Sequence, residues 1–532
     1  MRSTMMEFPL TLAHILDRGG KLFADSEIVS RLPDKSLYRY RYADFCRRAR
    51  ALGGALQQMG LKPGDRVGTL MWNHHIHLEA YFGIPCAGGV LHTLNLRLHP
   101  DDIAYIAGHG GDRFLIVDDS LLPIYAKIRD RAPFEKVIVV PLGGGTPAEL
   151  DDYEKLVAAG AALDAPMLDE NDAAGMCYTS GTTGKPKGVV YSHRAIVLHS
   201  LATAMVDCLG VSNRDTLCPV VPMFHVNAWG LPFTAVMMGA KLVFPGPHLD
   251  AESLLDLYQA EKVTLTAGVP TIWAGILQAL EREPARWELV KGMRMVVGGA
   301  AAPDSMIRAF DRFGLDVVHG WGMTETTPVG TVNYRKQELA PDAYRAARGK
   351  QGVPLPFFEV RAMGGEGAAP WDGKTMGELQ VRGPWIADSY YNPEGPADSW
   401  TDDGWFRTGD VVTVDAEGYV KITDRTKDLI KSGGEWISSV DVENALMGHP
   451  QIREAAVIAI PHERWVERPL ACIVTEEGAA LTADDVRDFL ARKFAKWWLP
   501  DAVEFLDEIP RTSTGKFQKT ALRERFKDYK LG

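Results

Sequence analysis

The sequence predicts an α/β protein with a large N-terminal domain of doubly wound sheets, a β-rich subdomain and a small α+β C-terminal domain. Over the first two-thirds of the 532 residues, segments with helical spacing alternate with short apolar runs, which are typical of buried parallel strands. After about Gly352 the pattern changes to short strands joined by turn residues. A charged connector at 424–428 then precedes a mixed segment about as long as one small domain.

In chain order, the alternation begins with a helix over residues 42–59, which ends at Gly60, a residue suited to closing a helix. It continues with strand 66–71, helix 77–87 and strands 113–117, 136–140, 173–178, 188–191, 263–267, 295–297 and 316–318. Several of these runs are uninterrupted and β-branched, so we place them inside the sheets. The alternation predicts two related doubly wound sheets.

The β-rich part is predicted from strands at 358–362, 377–382, 411–415 and 419–423, with a turn at 415–418. We therefore assign residues 1–424 to the large domain, with the β-rich subdomain at about 352–424. Residues 425–428 form the connector, and residues 429–532 form the small C-terminal domain.

The composition is that of an ordinary globular protein, with 46% hydrophobic and 24% charged residues. A net charge of −11 argues against a basic surface for nucleic acid or for an acidic membrane. Six scattered cysteines without a Cys-x-x-Cys pair favour a reducing compartment over a disulfide scaffold or a zinc site. The start of the chain lacks the apolar core of a signal peptide, and no run is long enough for a transmembrane segment, so we expect a cytoplasmic protein.

The strongest local signal for a binding site is the stretch 178–188, which reads YTSGTTGKPKG. Its glycines let backbone N–H groups approach an anion, and its hydroxyls and two lysines add partners for phosphate. It differs from the common nucleotide-binding loop because Pro186, not Ser or Thr, follows Lys185. A flexible polar loop is the alternative. The strand-like runs on both sides favour a phosphate loop of defined geometry.

Three further stretches carry candidate groups that the local pattern leaves undecided. We place GWGMTE at 320–325 in a loop after the strand 316–318, where Trp321 offers a face for a purine, and Thr324 and Glu325 offer oxygens for phosphate and Mg²⁺. Taken alone, a helix cap and a solvated carboxylate are the simpler explanation of Thr324 and Glu325. Asp410, after a tight turn in WFRTGD, suits either ribose hydroxyls or an Asx turn. Lys516, in the polar loop 511–516, is on its own a solvated charge.

His74, His75 and His77 cluster near the start of a predicted helix. No further ligand stands at a fixed spacing from them, so we expect surface histidines and not a metal site. Ser192 and His193 lack the Gly-x-Ser-x-Gly context of a nucleophile elbow.

The chain resembles the adenylate-forming superfamily, which includes acyl-CoA synthetases, luciferases and peptide-synthetase adenylation domains. The motifs that carry the resemblance occur in the family's order over about residues 10–525: the loop 178–188, Thr324, Glu325, Asp410, Arg425, the run KSGG at 431–434, Gly515 and Lys516. The resemblance implies an acid–CoA ligase that uses ATP, Mg²⁺ and CoA. Such an enzyme activates a carboxylic acid as acyl-AMP, with release of pyrophosphate, and then forms acyl-CoA, with release of AMP.

The resemblance also implies a role for each matching residue. The ATP- and AMP-binding set is Thr179, Ser180, Gly181, Thr182, Thr183, Gly184, Lys185, Lys187, Gly299, Ala300, Ala301, Gly320, Trp321, Gly322, Met323, Thr324, Asp410 and Arg425. The acyl pocket is His225, Val226, Trp229, Gly230, Gly298 and Gly299, and the CoA-binding set is Lys431, Ser432, Gly433, Gly434 and Glu435. Trp321 stands where the family more usually has a tyrosine stacked on adenine.

Within these sets the resemblance implies four catalytic residues, Lys516, Thr324, Glu325 and His225, and two Mg²⁺ ligands, Glu325 and Thr182. Lys516 would bridge the acyl carboxylate and the α-phosphate, and Asp410 with Arg425 would bind the ribose. Because Lys516 serves only the first step, the small domain must be mobile and swing on a hinge at Lys427.

The segment FHVNAWG at 224–230 corresponds to the mouth of the acyl pocket. Peptide-synthetase domains bind an amino group there with an Asp, whereas this chain has His225 and apolar neighbours. No Lys or Arg lies between Val221 and Phe233, which argues against a dicarboxylate. Trp229 resembles the tryptophan that gates the acyl tunnel in bacterial fatty acyl-CoA synthetases, with simple packing as the alternative. We expect a fatty acid of medium or long chain as the substrate.

Other interpretations stay open at this point. Related ligases act on short acids such as 3-(methylthio)propionate, and a fatty acyl-AMP ligase would pass the acyl group to a carrier protein. The intact run at 431–434 favours CoA over a carrier protein. A nucleotide-binding relative without activity, or a light-emitting one, belongs to a different class of function. Related enzymes often form homodimers through the N-terminal domain.

Overall fold

The computed structural model describes residues 1, 3–179, 185–365, 367–393, 398–432, 435–512 and 515–529. The first part of the chain contains α1 (Leu12–Leu22), β1 (Glu27–Arg31), β2 (Leu37–Arg41), α2 (Tyr42–Gln58), β3 (Arg66–Leu70), α3 (His75–Cys86), β4 (Val90–Thr93), α4 (Pro100–Gly110), β5 (Asp112–Asp118), α5 (Leu122–Ile128), β6 (Lys136–Val140), β7 (Asp151–Asp152) and α6 (Tyr153–Ala158). The next part contains β8 (Ala173–Tyr178), β9 (Gly188–Ser192), α7 (His193–Ala204), β10 (Thr216–Pro219), α8 (Val226–Trp229), α9 (Leu231–Met238), β11 (Lys241–Phe244), α10 (Ala251–Glu261), β12 (Leu265–Gly268), α11 (Pro270–Arg282), β13 (Arg294–Val297), α12 (Asp304–Arg312), β14 (Asp316–Gly322) and β15 (Val329–Val332).

The remaining elements belong to the β-rich part and to the C-terminal domain. The β-rich part contains α13 (Pro341–Ala347), β16 (Val353–Pro354), β17 (Glu359–Gly364), β18 (Gly367–Ala368), β19 (Gly377–Arg382), β20 (Phe406–Val414) and β21 (Val420–Arg425). The C-terminal domain contains β22 (Ile430–Ser432), β23 (Glu435–Ile437), α14 (Ser439–Leu446), β24 (Ile452–His462), β25 (Val466–Thr475), α15 (Ala483–Ala491), β26 (Ala502–Phe505) and α16 (Lys519–Arg525).

Two mixed sheets build the large N-terminal domain. One has the strand order β7-β6-β5-β3-β4-β8-β9 and is parallel except where β9 returns beside β8. The other has the order β16-β15-β14-β13-β12-β10-β11-β1-β2, parallel in its centre and antiparallel at both edges. The central strands of both sheets are buried along most of their length, as continuous apolar runs require.

The helices cover these sheets with apolar faces. In α2, the buried side chains of Phe45, Ala49, Leu52 and Leu56 recur every three or four residues and face the core. α4 starts with Pro100 at its first position and ends before Gly111, whose φ of 68° suits glycine. Short strand-to-helix connections of this kind bring the carboxyl ends of the strands together at one edge of each sheet.

Two antiparallel-rich sheets complete the molecule. The β-rich part forms one sheet of order β18-β17-β19-β20-β21. The C-terminal domain forms another, β23-β22-β25-β24, with β26 parallel to β25. The fold class predicted from the sequence is therefore confirmed, and the predicted helix at 42–59 and the predicted strands each correspond to an element of the structure.

Three local expectations were wrong. Gly320–Gly322 belongs to β14 and not to a loop after it, because this part of the strand pairs with β15. Asp410 lies inside β20 and not after a turn, since it pairs with Arg425 of β21. The histidines expected at the surface, His74, His75 and His77, are all buried.

Side-chain hydrogen bonds explain why two of these histidines, His74 and His77, can be buried. Nε2 of His74 lies 2.9 Å from Oδ1 of Asp118, and Nε2 of His77 lies 3.0 Å from Oγ1 of Thr69. Burial lowers the pKa of His77 to about 3, so its imidazole is neutral. The cluster is structural, and the sequence lacked a signal for it because Asp118 is 44 residues away.

The C-terminal domain contacts the large domain around the end of β21. The backbone N–H of Ser439 donates to the Asp424 carboxylate at 2.7 Å, and Lys421 forms an ion pair of 2.7 Å with Asp441. Within the part of the chain that the structure describes, no helix is both long and apolar enough to span a membrane.

Candidate active site

A cavity of about 800 Å³ lies where the carboxyl ends of β8, β13 and β14 meet the β-rich sheet and the C-terminal domain. Ligands in α/β proteins bind at this edge of the sheets. The sequence-predicted residues that line it are Thr179, Lys185, Lys187, His225, Val226, Trp229, Gly298, Gly299, Gly320, Trp321, Gly322, Met323, Thr324, Glu325, Arg425, Lys427 and Lys516.

The other predicted residues fall into three groups. Asp410 sits next to the cavity, where it contacts Trp321 and Arg425. Among the described residues, the lining does not include Ala300, Ala301, Gly230, Lys431 or Ser432. The side chain of Glu435 lies outside the described part of the structure. Seven predicted residues lie outside the described part of the chain: Ser180, Gly181, Thr182, Thr183, Gly184, Gly433 and Gly434.

The two ends of the predicted phosphate loop are fastened to each other. The N–H of Thr179 donates to the carbonyl of Lys187 at 2.9 Å, and the N–H of Lys187 donates to Oγ1 of Thr179 at 3.1 Å. The Lys187 ammonium lies 4.6 Å from the centre of the Tyr390 ring, and that of Lys185 lies 5.0 Å from the centre of the Tyr105 ring. Both cations are thus held at the rim of the cavity.

Glu325 provides a buried carboxylate on the cavity wall, with 5% of its surface exposed. The Tyr390 hydroxyl donates to its Oε1 at 2.7 Å. Burial raises the pKa of Glu325, and the Tyr390 hydrogen bond and the charges of Arg425 and Lys187 only partly oppose this. A hard cation at this carboxylate would stabilise its charged form, so the donor chemistry fits Mg²⁺.

Both oxygens of the Asp410 carboxylate have partners. The indole N–H of Trp321 donates to Oδ2 at 2.8 Å, and Nε of Arg425 lies 3.3 Å from Oδ1. The Trp321 ring also meets Phe358 edge-on, with 6.3 Å between ring centres. These contacts fix the carboxylate at the cavity edge in an orientation that a ribose could meet.

Lys516 reaches the cavity from the C-terminal domain. A Cβ atom placed on Gly299 would lie 3.1 Å from Cε of Lys516, so the lysine side chain packs closely against this glycine. The preceding Gly515, with φ of 84°, packs beside Val269 and Thr271 at the start of α11. Burial and the nearby Arg425 lower the pKa of Lys516 to about 8, against the opposing pull of Asp410 and Glu325.

His225 is a neutral imidazole beside Lys516. Burial, with the positive charges of Lys516 and Arg97, lowers the pKa of His225 to about 3. Arg97 itself lies 5.8 Å above the Phe224 ring. An uncharged imidazole beside the Lys516 ammonium can contact a substrate carboxylic acid while leaving the ammonium as the group that pairs with the carboxylate charge.

Trp229 ends the short turn α8, in which residues 226–229 all have positive φ, between 45° and 57°. Left-handed backbone is costly for residues other than glycine, so the surrounding contacts must hold this turn. The Trp229 ring lies against Gly298, where a Cβ would come within 3.0 Å of it. The wall nearby is apolar and includes Leu209, Val296, Val329 and Val332.

The connector and the predicted CoA-binding residues lie on the side of the C-terminal domain. Lys427 lines the cavity, and burial lowers its pKa. Asp428 pairs with Arg523 of the same domain. Ser432 is buried and accepts a hydrogen bond from Arg468 at 2.9 Å, whereas Lys431 lies 5.1 Å from the centre of the Trp436 ring.

Sequence reasoning missed several residues of the cavity. Tyr390 supports both Glu325 and Lys187, and the Tyr191 hydroxyl donates to the carbonyl of Thr324 at 2.8 Å. His109, near the end of α4, also lines the cavity. A tyrosine or histidine in a polar stretch is too common to mark a site, so no local signal could have found them.

Comparisons with known proteins identify the family of this chain. The family model of the AMP-binding enzymes matches residues 20–391, and that of the AMP-binding enzyme C-terminal domain matches residues 441–516. The chain is 50% identical over 533 residues to a long-chain-fatty-acid–CoA ligase of Thermus thermophilus, covering 99% of this chain and 97% of that one. It is 44% identical over 543 residues to a 3-methylmercaptopropionyl-CoA ligase of Ruegeria lacuscaerulensis, covering 100% of both. The crystal structure of the anthranilate CoA ligase AuaEII in complex with anthranoyl-AMP matches with a TM-score of 0.87 at 26% identity, over 99% of both chains.

Proposed function

The chain belongs to the AMP-binding enzyme family and is an AMP-forming acyl-CoA ligase, and we propose that it acts on medium- and long-chain fatty acids in the cytoplasm, where ATP and CoA are supplied. We assign the chemistry to the residues around the cavity. The cavity lining contains cationic side chains, the neutral imidazole of His225 and a set of apolar side chains.

The first half-reaction brings two anions together. An oxygen of the fatty-acid carboxylate attacks the α-phosphorus of ATP, and the bond to the β-phosphate breaks to release pyrophosphate. The Lys516 ammonium, held against Gly299, offsets the charge that builds between the two groups. Lys185 and Lys187 attract the leaving phosphates, and the Thr324 hydroxyl contacts the α-phosphate.

Glu325 is the described residue that fits Mg²⁺, since it is a buried carboxylate on the cavity wall. When bound, Mg²⁺ neutralises charge on the triphosphate. Tyr390 orients the Glu325 carboxylate by its hydrogen bond of 2.7 Å. Asp410, with Trp321 and Arg425, holds the ribose hydroxyls, so the nucleotide is fixed at both ends.

The second half-reaction needs a different arrangement of the same chain. The CoA thiol loses its proton to solvent, and its sulfur attacks the carbonyl carbon of the acyl-AMP. A C–S bond forms, the acyl C–O bond breaks, and AMP leaves with the former carboxylate oxygen. Lys431 and Ser432 do not line the cavity while Lys516 is docked in it. We infer that rotation at Lys427 withdraws Lys516 and brings the segment 431–435 to the cavity, where it borders the CoA thiol.

The observation that carries the choice of substrate is the apolar part of the cavity wall. Trp229 and four aliphatic residues, Leu209, Val296, Val329 and Val332, contribute to it. Each methylene group of a saturated chain that is buried against such a wall contributes about 0.8 kcal/mol of favourable transfer free energy. This wall therefore favours an acid with a long unbranched tail over a polar or doubly charged acid.

A short acid is the second candidate, and one contact favours it. The Trp229 ring lies against Gly298 across the floor of the cavity. If the ring keeps this position with substrate bound, it limits the length of the acyl chain. The 3-(methylthio)propionate type of acid would then fit better than a fatty acid.

The test measures AMP release in the presence of ATP, Mg²⁺ and CoA for a series of linear acids of about two to sixteen carbons and for 3-(methylthio)propionate. The longer acids probe how much of the chain the apolar part of the pocket can enclose. We expect a maximum at eight carbons or more, and in Trp229→Ala a changed length profile. Exposed Trp371, 47% accessible, gives a matched control, since Trp371→Ala should keep the wild-type profile. A maximum at three to five carbons would overturn the fatty-acid proposal and favour the short acid.

A further inference from the structure

His109 bridges the two chain segments that flank the phosphate loop. Its Nδ1 lies 2.6 Å from the hydroxyl of Tyr178, the residue before Thr179. Its Nε2 lies 3.1 Å from the carbonyl of Asn392. His109 and Asn392 both line the cavity at the end where the loop lysines stand. The ring is thus placed between the start of the loop and a segment from the β-rich part.

The hydrogen bonds define one arrangement of protons. The Asn392 carbonyl can only accept, so Nε2 of His109 carries a proton and donates it. Nδ1 faces the Tyr178 hydroxyl, which can donate a hydrogen bond to it. Burial and the nearby Asp112 raise the pKa of Tyr178, which keeps its phenol protonated and able to donate. His92 faces the Tyr178 ring with 5.2 Å between ring centres, so Tyr178 is held on both sides.

The same segment also holds the other end of the loop. The N–H of Tyr391 donates to the carbonyl of Gly188 at 2.9 Å, and Gly188 directly follows Lys187. The His109 ring meets Tyr391 edge-on and stacks on Tyr105, over whose ring Lys185 lies. His109 therefore contacts Tyr105, over whose ring Lys185 lies, and Tyr391, whose N–H is bonded to the residue after Lys187.

We propose that His109 is a positioning residue for the triphosphate of ATP: by tying Tyr178 to Asn392 it closes the base of the phosphate loop and aims Lys185 and Lys187 at the leaving pyrophosphate. The proposal rests on the adenylation step proposed above. It requires that loss of His109 affects the step that uses the triphosphate and spares the step that uses acyl-AMP, from which pyrophosphate is already gone.

The experiment separates these steps in the full-length enzyme. ATP–pyrophosphate exchange, driven by the best fatty acid, gives the KM for ATP, and acyl-AMP supplied with CoA gives the thioester step. For His109→Ala we expect the KM for ATP to rise about tenfold, the usual effect of losing one or two ordinary hydrogen bonds. Thioester formation should stay within about twofold of wild type. His109→Gln, which keeps one amide donor, should recover part of the affinity.

Two further variants keep the proposal testable if His109→Ala folds poorly. Tyr178→Phe removes only the hydroxyl, and we expect it to raise the KM for ATP as His109→Ala does. In the double variant of His109→Ala and Tyr178→Phe, the rise in KM should be smaller than the two single effects combined, because both changes break the same hydrogen bond. His99→Ala perturbs the other end of α4, where His99 caps the helix, and should leave the KM for ATP unchanged. An unchanged KM in His109→Ala and Tyr178→Phe, an equal loss in both half-reactions, or the same effect in His99→Ala would overturn the proposal. Absence of exchange activity in the wild type would instead refute the adenylation function itself.

Discussion

At the scale of single residues, the site depends on partners that stabilise a few charged groups. Trp321 and Arg425 hold Asp410, Tyr390 holds Glu325, and burial tunes Lys516 and His225. Each group is weak evidence of function alone, but together they surround one cavity. Their electrostatic arrangement leads to two predictions about individual residues.

The first concerns the pH dependence of adenylation. The pKa of Lys516 is lowered to about 8 by burial and by Arg425, and its charged form is the protonated one. The ammonium is therefore present below this pH and is lost as the pH rises through about 8. We expect kcat/KM for the fatty acid in pyrophosphate exchange to fall along this limb, and the limb to disappear in Lys516→Arg, whose guanidinium stays charged. A flat wild-type profile up to about pH 10 would contradict this assignment.

The second concerns Trp321, which departs from the tyrosine more usual at its position. Trp321→Phe removes the hydrogen bond of 2.8 Å to Asp410. A hydrogen bond to a carboxylate contributes about 1.5–3 kcal/mol, so the KM values for ATP and for supplied acyl-AMP should both rise at least tenfold. The exposed Trp371→Phe serves as the control. A change in the KM for ATP alone would show that Trp321 does not act through the ribose end shared by both ligands.

The sequence motifs picked out residues that the structure brings to one cavity, but they did not predict the partners of these residues. The loop at 178–188, Thr324, Glu325, Asp410 and Lys516 stand in recognisable motifs. The bonds that orient them join residues 89 positions apart for Trp321 and Asp410, and 65 apart for Glu325 and Tyr390. Such pairs form only when the sheets pack together, so local sequence patterns cannot predict them.

At the scale of elements, strands were predicted well because continuous apolar runs have few other solutions. The boundaries were less certain where a strand ends in polar or glycine residues. β14 extends through Gly322 since β15 supplies its hydrogen-bonding partner, and β20 includes Asp410 since β21 pairs with it. Polar residues inside these strands are paired across the sheet, which a single strand's sequence does not reveal.

The buried histidine cluster at the start of α3 gives a prediction for stability. His74→Ala removes the contact of 2.9 Å with Asp118 and the cap on the N–H of His77. Breaking a buried polar pair leaves its partner uncompensated, so we expect a loss of about 3 kcal/mol, measured by urea unfolding. His14→Ala changes an exposed histidine and should have little effect. A loss of less than about 1 kcal/mol would contradict a structural role for the cluster.

The connector gives a prediction for catalysis. Proline fixes the backbone angle φ at about −65°, so Lys427→Pro should restrict rotation of the backbone at residue 427. We expect pyrophosphate exchange to persist and thioester formation from supplied acyl-AMP to fall at least tenfold, about 1.4 kcal/mol in the barrier. Lys427→Ala, which removes the same side chain without fixing the backbone, is the matched control. Equal thioester rates in the two variants would place the hinge elsewhere.

At the scale of the whole molecule, the large domain provides most of the cavity lining, and the C-terminal domain places Lys516 in it. The observed arrangement, with Lys516 against Gly299, fits the first half-reaction. The proposed CoA-binding residues Lys431 and Ser432 lie on the same domain outside the cavity lining. One domain can therefore serve both half-reactions only by moving between them.

The most direct test of this account measures the two half-reactions separately in Lys516→Ala. We predict that ATP–pyrophosphate exchange falls by at least a hundredfold, about 2.7 kcal/mol or more of transition-state stabilisation, as for loss of a well-placed charge. Thioester formation from supplied acyl-AMP and CoA should remain within about threefold of wild type, a change of under about 1 kcal/mol. Equal loss of both half-reactions would contradict the account, because it would mean that Lys516 stays in the cavity throughout.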